Sequence, residues 1–257
     1  MAYSESEARD LVIKAGHELI EKKLIARTWG NISARISDNE FIITPSGRAY
    51  ETLSPEELVK VRIDSLEYDG EIKPSSEKGI HASAYALRPD CDFVIHTHQF
   101  YASAICAEEK DTDFAPCAEY GISGSSKLRK NVEKVMSDNP DSKMFLMSKH
   151  GAVCLGDTYK EAFAVADDLE SKCKELFEKE KHEPVKGMWL DDYAQMFNSK
   201  HLPNDGEDET AVELVRSKNE AAASYIKNAK PISFILAALE HFVYTKKYSK
   251  KKDEKLS

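Results

Sequence analysis

The chain predicts an α/β protein, a three-layer α/β/α sandwich around a mixed, largely antiparallel sheet. Three observations lead there. Helix-period and strand-period segments alternate irregularly along the 257 residues, which argues against a regular βαβ repeat. Turn residues sit close between neighbouring strand segments, as antiparallel neighbours require. Neither a G-x-G-x-x-G nor a Walker-type loop occurs, so the dinucleotide and P-loop folds find no support.

The elements follow in order. Ala8, Leu11, Val12, Ala15, Leu19 and Ile20 form one apolar stripe, so a helix runs from about Ser4 to Lys23. Gly30 to Ile36 and Phe41 to Thr44 read as strands, with Pro45-Ser46-Gly47 as turn chemistry after the second. Ser54-Pro55-Glu56-Glu57 carries an N-cap, a proline at the first helical position and a capping-box glutamate. Val59 to Ile63 and Ser65 to Tyr68 read as strands turning at Asp69-Gly70. A helix opens at Ser75 or Ser76 and stops near Arg88-Pro89. Phe93 to His98 is a strand, Tyr101 to Ala107 a helix and Lys127 to Met136 another. Met144 to Met147 and Ala152 to Leu155 are strands flanking His150. Asp157 or Thr158 then caps a long helix to about Lys181. Three regions result: a main domain over residues 1–182, a helical appendage over 183–245 that packs on the core or on a neighbouring subunit, and a charged, disordered tail over 246–257.

Composition narrows the function. The net charge of −9 argues against a nucleic-acid binder, which needs a basic surface. Five cysteines without CxxC spacing favour a reducing compartment over a disulfide scaffold. The first residues are polar and acidic, unlike a signal peptide, and no run has the apolar length of a membrane span. A cytoplasmic location is expected, with neither nucleic acid nor membrane as partner.

The chemistry concentrates in four residues. His96 and His98 lie in Val94-Ile95-His96-Thr97-His98, and alternation along a strand puts both imidazoles on one face. His150 lies in Lys149-His150-Gly151, and Glu77 in Pro74-Ser75-Ser76-Glu77. Neutral imidazoles suit a divalent transition metal, and Glu77 can complete the ligand set or act as a base beside it. A His-x-His pair alone is more often solvated than metallated, so the reading depends on its surroundings. The other histidines, His17, His81, His182, His201 and His241, are scattered and read as structural. Gly30-Asn31, Ser46-Gly47 and Ser75-Ser76 each offer small side chains and accessible backbone N–H groups suited to an anion. Ser75-Ser76 immediately precedes Glu77, so an anion cradle there would lie beside the metal, as a small phosphorylated sugar requires.

The set Gly30-Asn31-x-Ser33, Thr44-Pro45-Ser46-Gly47, Pro74-Ser75-Ser76-Glu77, His96-Thr97-His98 and His150-Gly151 resembles the class II aldolase/adducin family, over roughly residues 5–180. The resemblance implies a metal-dependent sugar-phosphate lyase of the L-fuculose-1-phosphate aldolase type, which cleaves a ketose 1-phosphate to dihydroxyacetone phosphate and an aldehyde. It implies that His96, His98 and His150 hold zinc and that Glu77 is the fourth ligand, displaced by substrate and then a proton shuttle. It implies that Gly30, Asn31, Ser46, Gly47, Ser75 and Ser76 bind the substrate phosphate. Tyr120 is the nearest match to a tyrosine that the family supplies from a neighbouring subunit as proton donor. A homotetramer with active sites between subunits is implied as well. Related enzymes decarboxylate sugar-acid phosphates, epimerise pentulose phosphates or dehydrate a thiosugar phosphate. The epimerases carry Asp where Glu77 stands, and the other two keep Glu. Adducin-like modules, which are not catalytic, lose metal ligands that this chain keeps.

Overall fold

Five α-helices cover the two faces of one seven-stranded sheet among the described residues, which in this computed structural model are 2–22, 24–25, 30–108 and 110–181. The expectations for residues 183–257 lie outside them.

Helix α1 (Glu5–Glu21) starts where the Ser4 hydroxyl accepts the Glu7 N–H, and it buries Ala8, Val12, Ala15 and Leu19 against β1 (Asn31–Arg35) and β2 (Glu40–Ile43). Pro55–Glu57 makes a single 3-10 turn. The Glu57 carboxylate accepts the Ser54 N–H at 3.0 Å, the capping box expected there. Strand β3 (Val59–Arg62) follows. Ser65 to Tyr68 does not form the expected strand. The chain reverses through Leu66 at φ 60°, and only Tyr68 bridges back to Val61. Helix α2 (Lys78–Leu87) begins after Glu77 rather than at Ser75. Ser75 is instead tied to the strand beside it, donating its N–H to the Thr44 carbonyl at 3.0 Å.

Strand β4 (Phe93–Thr97) leads into α3 (Phe100–Ile105). Strand β5 (Cys117–Ala118) has no pattern in the sequence because two residues carry no alternation. Helix α4 (Ser126–Asp138), β6 (Met144–Met147), β7 (Gly151–Gly156) and α5 (Tyr159–Glu180) complete the order.

The sheet runs β3-β2-β1-β4-β7-β6-β5. Every pairing is antiparallel except β5 with β6, so the sheet is mixed and largely antiparallel. Ile80, Tyr85, Leu128, Val132 and Met136 of α2 and α4 cover one face, against Phe41, Val94, Phe145 and Val153. The alternate strand residues turn to the other face, where α1 and α5 pack and where the Phe93 ring meets Tyr159 edge-on. The fold is a three-layer α/β/α sandwich.

Arg35 stitches the end of β1 to the end of α2. Its guanidinium donates to the Tyr85 carbonyl and, at 2.9 Å, to the Arg88 carbonyl, and its Nε faces Asp92 at 3.8 Å. Phe145 is fully buried in the core that α2 and α4 cover. Phe145→Ala is therefore expected to lower the unfolding free energy by about 3–5 kcal/mol in urea titrations.

Candidate metal centre

The ends of β4 and β7 meet where the sheet register aligns them. His96 pairs with Asn31 of β1 on one side and with Val153 of β7 on the other. His98 stands one residue beyond β4. The chain after it is held to α5, where the Gln99 amide donates to the Ala166 carbonyl at 2.6 Å. The Tyr101 and Ala102 N–H groups donate to the Glu170 carboxylate at 2.9 and 3.1 Å, a negative charge at the start of α3. His150 closes the β6–β7 hairpin, its N–H donating to the Met147 carbonyl at 3.0 Å, with Lys149 before it at φ 55°. A Cβ on Gly151 would sit 2.3 Å from the Thr97 carbonyl oxygen, so only glycine lets the hairpin come this close to β4.

Three imidazoles converge as a result. His96 Nε2 is 3.1 Å from His98 Nε2 and 3.2 Å from His150 Nε2, and all the ligand atoms lie within 4.8 Å of one another. His96 Nδ1 faces the Ala152 carbonyl at 2.8 Å. A carbonyl only accepts, so Nδ1 carries the proton and Nε2 turns its lone pair to the cluster. Roughly 2.0–2.1 Å bonds from one ion to tetrahedral nitrogens separate those nitrogens by about 3.4 Å. The observed spacings approach that value. The donor set fits a divalent transition metal.

Glu77 closes the group at the start of α2. Its Oε2 is 3.2 Å from His96 Nε2 and its Oε1 is 3.2 Å from His150 Nε2. The Asn31 amide donates to Oε2 at 3.0 Å and the Ser123 hydroxyl to Oε1 at 3.0 Å. Burial pushes the Glu77 carboxyl up, and positive charge on the His150 and His96 imidazoles, present when they are protonated, outweighs it and draws the group well below the usual carboxylate range.

The expected anion-binding residues lie on both sides of this carboxylate. Asn31 touches it directly, and the Ser75 hydroxyl accepts the Glu77 N–H at 3.2 Å. Gly30 at φ +78° packs against the His96 carbonyl, where a Cβ would come within 2.6 Å. Ser46 and Gly47 are exposed and adjoin Glu77's own segment through the Pro45–Pro74 bridge and the Ser46 N–H to the Lys73 carbonyl. Ser76 is exposed and lines a cavity of about 220 Å³ with Glu77, Lys78, Gly124, Ser125 and Arg129. Tyr120 lies on the loop that brings Ser123 to Glu77, with Lys149 Nζ 5.7 Å from its ring centre.

Two participants were not legible in the sequence. Ser123 reaches Glu77 from a loop with no motif of its own. His81, one helical turn after Glu77, is fully buried and bonded to Asn31 and Ser33 rather than merely packed. The four-residue spacing from Glu77 is the signal that places it on the same helix face.

Gly151→Ala tests the hairpin contact. The added methyl group must push β7 away from Thr97 and move His96 and His150 apart, so affinity for Co²⁺, read by absorption titration, is expected to fall at least about tenfold.

Comparison with known proteins bears on this geometry. The model of the class II aldolase and adducin N-terminal domain matches residues 10–177. A 3-oxo-tetronate 4-phosphate decarboxylase of Pectobacterium atrosepticum is 29% identical over 190 residues, covering 68% of this chain and 85% of that protein. A 5-methylthioribulose-1-phosphate/5-deoxyribulose-1-phosphate aldolase of Escherichia coli O45:K1 is 32% identical over 172 residues, covering 62% of this chain and 78% of that one. A solved structure of an L-fuculose 1-phosphate aldolase superposes with a TM-score of 0.61 at 24% identity, covering 84% of this chain and 97% of the other, a likeness of fold. The chain belongs to the class II aldolase and adducin N-terminal domain family.

Proposed function

We propose that the protein is a zinc-dependent aldehyde-lyase that reversibly cleaves a ketose 1-phosphate to dihydroxyacetone phosphate and an aldehyde. One observation carries the reading: three imidazoles converge and a buried, ionised carboxylate rests against two of them. The relative named as an aldolase of 5-methylthioribulose-1-phosphate and 5-deoxyribulose-1-phosphate supports a substrate of this class.

His96, His98 and His150 would hold the cation, with Glu77 as the further ligand. A divalent ion there supplies Lewis-acid stabilisation of the charge left when a C–C bond next to a carbonyl breaks. Glu77 is the group that moves the proton at the substrate carbon. Asn31 and Ser123, each bonded to one carboxylate oxygen, aim it. Gly30, Asn31, Ser46, Gly47, Ser75 and Ser76 form the phosphate cradle, which sets the distance from the reacting carbons to Glu77. The Asn31 amide keeps one N–H beyond that given to Glu77, so both duties are compatible. Tyr120 of a neighbouring subunit serves as proton donor on the aldehyde side, in a cytoplasmic homotetramer with its active sites between subunits.

Relatives named 3-oxo-tetronate 4-phosphate decarboxylase favour a second reading. Loss of CO₂ from a 3-oxo acid leaves the same kind of charge beside the carbonyl, and Glu77 would then deliver a proton rather than remove one.

A substrate panel separates the two. Ketose 1-phosphates are assayed for dihydroxyacetone phosphate, and 3-oxo-tetronate 4-phosphate for CO₂, each with zinc and with chelator. The expected outcome is zinc-dependent dihydroxyacetone phosphate release, abolished in His98→Ala together with bound metal. Release of CO₂ alone would establish the decarboxylase reading. Glu77→Gln is expected to keep bound zinc, since the three histidines remain, yet to lower turnover by about 10²–10⁴-fold, the range for a proton-transfer group. Unchanged exchange of the ketone's α-proton with solvent in that variant would remove Glu77 from the mechanism.

A further inference from the structure

Behind the carboxylate runs a continuous buried chain of hydrogen bonds whose members beyond Asn31 the proposed reaction does not use. The Asn31 Nδ2 donates to Glu77 Oε2, and Asn31 Oδ1 meets His81 Nε2. His81 Nδ1 lies 2.6 Å from the Ser33 hydroxyl, which lies 2.6 Å from the Tyr85 hydroxyl. Asn31, Ser33, His81 and Tyr85 are all buried. Ser33 and Asn31 lie two apart on β1 and so point to the same face, while His81 and Tyr85 lie one turn apart on α2.

The direction of the chain is forced from one end. The amide nitrogen of Asn31 faces Glu77 Oε2 at 3.0 Å, so the amide oxygen faces His81. His81 must then donate from Nε2. Burial lowers the His81 pKa to about 3, so the ring is neutral and holds one proton. Nδ1 is therefore an acceptor. Ser33 donates to it, and Tyr85 donates to Ser33. The opposite polarity would turn the Asn31 oxygen onto a carboxylate oxygen and lose a charge-assisted bond.

We propose that His81 is a positioning residue: as the Nε2–H tautomer held by Ser33 and Tyr85, it locks the Asn31 amide in the one orientation that donates to Glu77. The proposal rests on the reading of Glu77 as the proton-moving group. Its consequence is specific. Without the His81 donor, Asn31 is free to rotate its amide, and Glu77 loses its aim while the three histidines keep their places.

Two measurements test it on the full-length protein. Long-range ¹H–¹⁵N correlation of the imidazoles reads the tautomer without substrate. A neutral His81 with its proton on Nε2 is expected, and a proton on Nδ1 overturns the proposal whatever reaction is catalysed. Kinetics then compare His81→Leu, which cannot donate, with His81→Gln, whose amide can reach Asn31. For whichever panel substrate is turned over, His81→Leu is expected to lower kcat at least about tenfold with bound zinc unchanged. His81→Gln should recover most of the loss. Equal loss in both variants, or loss of zinc in His81→Leu, makes the residue a packing element and overturns the proposal. Should His81→Leu fail to fold, Ser33→Ala removes the donor to Nδ1 at little change in volume. A mixture of tautomers with lowered kcat is then expected, and an unchanged tautomer with unchanged kcat overturns it. Failure of the whole substrate panel would sink the lyase reading and, with it, the role of Glu77. The tautomer would still decide whether the Asn31 amide is locked.

Discussion

A buried carboxylate is the constraint on which the site depends. Glu77 is 6% exposed, and an ion that far from water costs several kcal/mol unless its surroundings replace the lost hydration. Asn31 and Ser123 do so, each donating to one oxygen, while His96 and His150 lie 3.2 Å from the same two oxygens. The donated hydrogen bonds favour the ionised form, and an ionised group cannot rotate away without leaving a charge unpaired. The carboxylate is thereby both fixed in place and kept in the state that can accept a proton.

The same constraint explains why distant parts of the chain must close on one another. Asn31 comes from β1, Glu77 from the start of α2, His96 and His98 from β4 and its end, Ser123 from the loop before α4, and His150 from the β6–β7 hairpin. Hydrogen-bonded register brings β1, β4 and β7 together at one end of the sheet. Gly151 lets the hairpin approach the Thr97 carbonyl, and the anchoring of residues 99–102 on α5 holds His98 at the strand's end. The site is a consequence of sheet closure, so forces that hold the core also set the spacing of the ligand nitrogens.

Polarity propagates outward from the carboxylate, away from the three imidazoles. Each hydrogen in the path from Glu77 through Asn31, His81 and Ser33 to Tyr85 has only one favourable direction, because the first acceptor cannot donate. Such a chain in a low-dielectric interior is costly if any member is unmatched, and its complete matching specifies a single arrangement.

Much of this was determined by local sequence. The stripe of α1, the capping box at Ser54, the strand patterns at β4, β6 and β7, and the His-x-His spacing follow from side-chain periodicity and cap chemistry, which act over a few residues. So did the candidacy of Glu77, His96, His98 and His150, which stand in recognisable motifs. Other features had no local signal. Strand β5 is too short to show alternation, and Ser65 to Tyr68 has strand-like residues that the Leu66 turn prevents from pairing. Helix α2 starts at Lys78 because Ser75 is already bound to Thr44 across the sheet. Ser123 belongs to the site only because folding brings it to a charge 46 residues away along the chain, and His81, although four residues from Glu77, joins the site through Asn31 of β1. A residue's type and its near neighbours determine what it is able to donate or accept. The buried partner it must satisfy is chosen only when the sheet closes, because the cost of an unmatched polar group exists only once water has been excluded.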